Sequence, residues 1–234
     1  MSNKALAVVT GVGPGTGSAI VRRLVAAGYE VAMLARNRQR LDNLTCALPG
    51  THAYAVDVND VSLLEQTLDH IEAVHGAPEV VVHNAVGGAF GNFLEVEPAV
   101  LEVNFHINVM ALLHLARRFA PAMVEAGKGA IIVTGNTSAL RGKPNFAGFA
   151  PTKAAQRILA ESIARELGPK GVHVAYVVID AVIDVPWARE MHASKPDEFF
   201  IQPEAIAGEV MHLIDQPRSA WSFVAEVRPY GESW

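Results

Sequence analysis

The sequence predicts a doubly wound α/β fold, a parallel sheet of about seven strands with helices on both faces, over residues 1–234. Three observations predict it. Short apolar runs alternate with segments of helical period along the whole chain. A glycine-rich turn joins the first apolar run to the first helical segment. Small and polar residues directly follow several of the runs, which suits a ligand crevice along the carboxyl edge of a parallel sheet.

Composition agrees with a single domain of the larger α/β kind. Half of the 234 residues are apolar and 18% are charged, enough for a sizeable core. The net charge is −5 with both signs mixed and no long Lys/Arg run, so nucleic acid is not an expected partner. The one cysteine, Cys46, excludes an intrachain disulfide, and no Cys/His spacing resembles a zinc site, so no metal is expected. Lys4 precedes an apolar run of about five residues, too short for a signal peptide or a bilayer span. A cytoplasmic protein without a membrane partner is the expectation.

Ala5 to Val9 reads as a buried parallel strand. Thr10-Gly11-Val12-Gly13-Pro14-Gly15-Thr16-Gly17 follows, and then Ile20, Val21, Leu24 and Val25 fall at helical spacing. Glycines let a backbone turn tightly and approach a ligand. A helix N-terminus offers free N–H groups and a positive dipole end to a pyrophosphate. Gly11, Gly13, Gly15, Thr16 and Gly17 are therefore candidate nucleotide ligands.

Tyr29 to Leu34 is a second strand, ending in Ala35-Arg36-Asn37-Arg38. An acid at this strand end would bind a ribose 2′-hydroxyl, but here guanidinium groups stand instead. Arginine matches a phosphate with paired hydrogen bonds. NADP(H) is expected over NAD(H), with Arg36 as the main contact. The alternative is that Arg36 and Arg38 only begin a solvated helix, Arg38 to Ala47.

His52 to Val56 is a third strand, followed by Asp57 and Val58. Asp57 could bond an adenine amino group or cap the next helix, and Asn59 or Asp60 could equally be that cap. Val61 to Val74 is helical. Pro78 introduces a fourth strand that ends in Asn84-Ala85-Val86-Gly87-Gly88. Ala99 to Ala126 is a long apolar-periodic segment with Asn104 and Asn108 inside it, either functional or satisfied core amides. Gly129 to Val133 is a fifth strand. Pro151 to Leu167 is a helix stopped by Gly168-Pro169. Gly171 to Ile179 is a sixth strand, Asp180 to Pro186 a crevice loop, Pro203 to Ile214 a helix and Ser222 to Val227 a last strand.

Over essentially its whole length the chain resembles the short-chain dehydrogenase/reductase family, a Rossmann-type fold. Thr10, Gly11, Gly15 and Gly17 match its glycine loop, and Asp57 beside Val58 matches its post-strand aspartate. His83-Asn84-Ala85-Val86 stands for its Asn-Asn-Ala-Gly, with the glycine displaced to Gly87. Asn108 matches its long-helix asparagine, and Phe149-Ala150-Pro151-Thr152-Lys153 stands for its Tyr-x-x-x-Lys. Asn136 occupies the place of its serine.

The resemblance implies a tetrad. A tyrosine protonates the substrate oxygen as hydride arrives from the nicotinamide, a serine orients the carbonyl, a lysine binds the ribose and lowers the tyrosine pKa, and an asparagine holds a relay water. Lys153 and Asn108 match, while Phe149 and Asn136 do not. Phenylalanine has no titratable group, and losing a positioned acid typically costs on the order of 10²–10⁴ in rate. Asn136 keeps a hydrogen-bond donor for the carbonyl. Thr137 or Ser138 enters the site only if the register slips, and Lys153 is a further candidate donor; Asp180 or Asp184 would be one if burial raised its pKa, the favoured alternative being a loop or cap aspartate. The resemblance also points to Asn84 and Ala85 at the cofactor, to Ile183 at its carboxamide, and to residues 186–202 as a substrate lid. Trp187, Met191, Phe199 and Phe200 there suit a partly apolar small molecule. A homodimer or homotetramer through the helices carrying Asn108 and Lys153 is implied, and residues 228–234 could cover a partner subunit.

Three readings follow. The first is an NADP(H)-dependent oxidoreductase of a carbonyl or alcohol with an atypical proton donor. The second is a degenerate NADP(H)-binding protein, a sensor or assembly subunit. The third, a lyase- or dehalogenase-like reaction, is disfavoured because the glycine loop is retained. The polar trio Asn108, Asn136 and Lys153 favours the first.

Overall fold

The computed structural model describes residues 4–231, so Glu232, Ser233 and Trp234 of the terminal segment lie outside the described residues. The apolar runs pair side by side. β1 (Leu6–Thr10), buried at every position, lies between β2 (Glu30–Ala35) and β4 (Val80–His83). β3 (Thr51–Ala55) pairs outside β2. β5 (Gly129–Asn136), β6 (Val172–Ile179) and β9 (Val224–Val227) continue beyond β4, and every pairing is parallel. The order 3-2-1-4-5-6-9 reverses direction between β1 and β4, the switch point where such sheets hold ligands.

Alternate residues of each strand feed opposite cores. On one face, Ala7 and Val9 pack with α1 (Thr16–Ala26), with Leu41 of α2 (Arg38–Ala47) and with α8 (Pro203–Ile214). On the other, Leu6 and Val8 meet Leu64 and Leu68 of α3 (Val61–His75), and α5 (Ala111–Ala126) and α6 (Ala150–Leu167) complete the layer. Truncating a fully buried leucine such as Leu68 or Leu112 to alanine costs about 2–5 kcal/mol.

The long segment forms α4 (Pro98–Phe105), a π turn at His106–Met110 and then α5. By length and composition Pro98–Ala126 could cross a bilayer, but Leu112, Leu115 and Phe119 are wholly buried in the sheet layer, as in a core helix. Val103 and Phe105 remain 41% exposed.

β5 runs three residues beyond the predicted Val133, because Thr134, Gly135 and Asn136 pair with Val177, Val178 and Ile179. A Cβ at Gly135 would lie 2.1 Å from the Tyr176 hydroxyl, so this glycine makes room for that ring. The loop after β6 contains β7 (Val182–Ile183), then α7 (Pro186–Met191), then β8 (Phe200–Ile201), which pairs back with β7.

Candidate active site

A cleft of about 670 Å³ opens over the carboxyl ends of β1, β2 and β4. Residues 11–17, Arg36, Asp57, Val58, Asn84, Ala85 and Ile183 line it, so every sequence-predicted cofactor residue except Lys153 converges there. Gly11 adopts φ +69°, and a Cβ there would lie 2.5 Å from the Ala85 backbone. A Cβ at Gly17 would lie 2.4 Å from the Gly11 carbonyl oxygen. The loop is thus closed on itself and on the strand beyond it, and only glycine fits either place.

At the start of α1 no side chain caps the helix and no acid occupies the first turn. The Thr16 hydroxyl is buried there without a hydrogen-bond partner. An orphaned hydroxyl beside free helix N–H groups fits an anionic group, and the donor set suits a dinucleotide pyrophosphate. Asn84 braces the loop, its Nδ2 donating to the Gly11 carbonyl at 2.8 Å and its Oδ1 accepting from Thr134 at 3.0 Å. Two backbone N–H groups, those of Asn84 and Ala85, donate to the Thr10 hydroxyl. Its proton is thereby directed to Nδ1 of His83, 3.0 Å away. Burial, with the Lys153 charge next, pushes the His83 pKa down to about 3, so the ring is neutral.

Of the two guanidinium groups expected at the end of β2, only Arg36 lines the cleft. Arg38 is a correction: its Nε donates to both Asp42 carboxylate oxygens, at 2.9 and 3.1 Å, along α2. The second cleft guanidinium belongs to Arg40, four residues after Arg36. Asn37 caps α2 by accepting from the Arg40 N–H at 2.9 Å, and so sets where that helix begins. The cap of α3 is Asp60, while Asp57 accepts from the Asn59 N–H.

The opposite loop closes over the glycines. A Cβ at Gly15 would come within 2.6 Å of Val185, a cleft residue that the sequence did not single out. Asp184 is not the burial-raised acid considered from sequence. The Arg189 guanidinium grips both its oxygens at 2.7 Å, and Gln202 adds a third bond, holding its pKa down to about 2. Asp180 faces Arg228 at 3.9 Å and does not line the cleft. In the lid segment Trp187 lines the cleft and is exposed, whereas Phe200 is buried under Arg189.

Asn108 is a fully bonded tie. Its Oδ1 accepts from the Gly87 N–H at 3.1 Å, and its Nδ2 donates to the Gly87 carbonyl at 2.7 Å and to Thr152 Oγ1 at 2.9 Å. A Cβ at Gly87 would meet Asn104 Oδ1 at 2.7 Å, the reason for the displaced glycine. Asn136 fixes its carboxamide by accepting from the Ser138 N–H at 3.0 Å. Ser138 is buried and faces a separate hollow between residues 138–147 and the start of α6. Phe149 precedes α6 and is buried against Gly88, with its ring 5.9 Å from that of Phe90.

Lys153 lies off the cleft lining. Its Nζ donates to Gln156 Oε1 at 2.6 Å and to the Thr134 carbonyl at 3.2 Å. Gln156 Nε2 donates to the Asn108 carbonyl at 2.8 Å, and Tyr176 donates to Gln156 Oε1 at 3.2 Å. Burial lowers the Lys153 pKa to about 7 and raises that of Tyr176. A neutral amine has two N–H donors, and both acceptors are in place. Gln156 was missed from sequence. Its signal is position i+3 to Lys153, on the same side of α6.

The chain is similar to known proteins in sequence and in fold. The chain is 32% identical over 184 residues to L-xylulose reductase of Mus musculus, covering 78% of this chain and 73% of that protein. It is 27% identical to carbonyl reductase (NADPH) 2 of Sus scrofa, over 92% of this chain and 90% of the other. The solved structure of a metagenomic short-chain oxidoreductase in complex with NADP superposes with a TM-score of 0.83 at 28% identity, covering 97% of this chain and 99% of that one. The short chain dehydrogenase pattern matches residues 5–194. Glycine loop, sheet order and these matches together make this chain a member of the short chain dehydrogenase family.

Proposed function

We propose that the protein is an NADP(H)-dependent oxidoreductase of a partly apolar carbonyl or alcohol substrate, working without a proton donor at residue 149. The observation that carries the cofactor is the end of β2, where Arg36 and Arg40 face the cleft and neither makes an ion pair among the described residues. In this reading they hold a 2′-phosphate. Residues 11–17 hold the pyrophosphate, Asp57 and Val58 the adenine, Asn84 and Ala85 the ribose, and Ile183 the carboxamide. A nicotinamide held there would supply or accept the hydride. Asn136 turns its Nδ2 to the substrate oxygen, an orientation supported by the bond that anchors its Oδ1. With Phe149 inert, the proton comes from water at the open mouth of the cleft. Lys153 reaches the ribose only by leaving Gln156.

The names of the relatives, reductases of sugars and other carbonyls, support the reaction class. The lid, residues 186–202, offers Trp187 and Met191 to an apolar part of the substrate, and both are exposed. Val103 and Phe105, exposed on α4, support association of copies through the helices carrying Asn108 and Lys153.

A second reading, nucleotide binding without turnover, is favoured by the same Phe149 and by the capture of Lys153. Titration with NADPH and NADH, followed by turnover over a carbonyl panel for the native chain and Phe149→Tyr, separates the two. Native turnover that the tyrosine raises by on the order of 10²–10⁴ fits the oxidoreductase. Tight NADPH binding with no native turnover, restored by Phe149→Tyr, overturns it for the native chain. Preference for NADH overturns the Arg36 assignment.

A further inference from the structure

At the amino ends of the strands, on the opposite edge from the cleft, three side chains from three elements face one another. Glu30 opens β2, His52 lies in β3, and His75 ends α3. Each offers a ligand atom within 4.8 Å of the other two. We propose that Glu30, His52 and His75 form a binding site for one borderline divalent transition metal, with zinc as its natural probe.

The geometry is close to what such an ion requires. Ligands about 2.0–2.1 Å from a tetrahedral zinc stand about 3.4 Å apart. His52 Nε2 and Glu30 Oε2 are already 3.2 Å apart. The remaining spread of up to 4.8 Å closes by rotation of the carboxylate and rings. The imidazole centroids lie 4.0 Å apart at 36°. Tyr54 holds the His75 ring through a 2.8 Å bond to Nε2, the kind of outer contact that fixes a ligating imidazole. Two imidazoles and one carboxylate select zinc, copper or nickel over magnesium or calcium. The half-buried position leaves a fourth place for water.

The bound ion would tie the edge strand β3 to β2 and to the end of α3. Its effect is therefore on the stability of that edge, not on the reaction. This site stands independently of the proposed function.

The test uses the full chain, stripped with chelator and dialysed, then titrated with zinc by calorimetry and followed by thermal unfolding. The expected result is one equivalent bound and a raised Tm. His52→Gln and His75→Gln should each weaken binding at least about tenfold and remove the Tm rise. Circular dichroism and gel filtration check that each variant is folded. Glu30→Gln, which keeps both imidazoles and the side-chain shape, decides the matter if either histidine variant fails that check. Absence of saturable one-equivalent binding overturns the proposal, as does binding that the folded variants leave unchanged.

Discussion

Lys153 makes stability depend on pH where few other groups do. Folding buries its ammonium without a carboxylate and lowers its pKa from 10.5 to about 7. The unfolded chain therefore holds more protons on this lysine than the folded chain throughout that interval. Stability then rises with pH from about 7 towards 10.5, because it rises wherever the unfolded state binds the extra proton. At pH 7 the folded lysine is about half protonated and at pH 9 scarcely at all, while the unfolded one stays charged. One pKa unit corresponds to about 1.4 kcal/mol, and integrating the difference from pH 7 to 9 gives a gain of about 2 kcal/mol.

The other perturbed groups act mostly outside this window. His83 and His75 have lowered pKa values, so their contributions are nearly complete about one pH unit above the unfolded value of 6.5 and add little between pH 7 and 9. Tyr29, Tyr54 and Tyr176 are raised from 10.0 and Lys128 from 10.5, so they matter only in stronger base. Urea unfolding at pH 7, 8 and 9 and constant ionic strength measures the effect. Lys153→Met, which keeps the length and removes the titration, should flatten the curve. A native chain equally stable at pH 7 and 9, or a methionine variant with the same rise, refutes the reasoning.

Arg36→Ala should weaken NADPH about tenfold or more, since a charge-assisted hydrogen bond contributes about 1.5–3 kcal/mol, and leave NADH unchanged. Fluorescence titration reads the ratio, and equal losses for the two nucleotides count against the assignment. Gly17→Ala puts a methyl 2.4 Å from Gly11 O and 2.8 Å from Val12 Cα, both backbone atoms that cannot move aside cheaply. It should lower stability by about 1–3 kcal/mol and disable nucleotide binding, read by Tm and titration. Arg189→Ala frees Asp184, whose pKa should climb from about 2 towards the ordinary carboxylate value. The depressed pKa stabilises the fold above pH 4 and that share fades as pH falls towards 2, so the variant should show a shallower acid transition, with the carboxyl pKa read by NMR.

The frame was legible because backbone constraints write themselves into residue type. The glycine loop could be read from Gly11 and Gly17, since a side chain at either collides with main chain. The side chains around it were less legible. The sequence pointed to Arg38 beside Arg36 and did not single out Arg40; the Asn37 cap and the Asp42 contact turn Arg38 along α2, while Arg40 lines the cleft. Asp184 stood as a candidate donor because nothing in the sequence ties it to Arg189, five residues further on, whose guanidinium holds both its oxygens. The end of β5 was hidden because Gly135 and Asn136 are weak strand formers, held in place by β6. Glu30, His52 and His75 are far apart in the chain, so no spacing announces them.

Phe149 and Gln156 gain meaning when read together. A buried lysine amine must find acceptors, since an unpaired one carries a large desolvation cost. Phe149 offers its neighbour no side-chain oxygen. Gln156, one turn further along α6, supplies one at 2.6 Å, and its amide nitrogen is anchored on the Asn108 carbonyl. Asn108 in turn holds the loop behind the cleft through both backbone groups of Gly87. The lysine is thus wired to the cleft through Asn108, although its amine does not reach it. A substrate or ribose hydroxyl that competes for Lys153 must displace two existing bonds, so in the proposed oxidoreductase reading turnover would rest first on Asn136 and the nucleotide cleft.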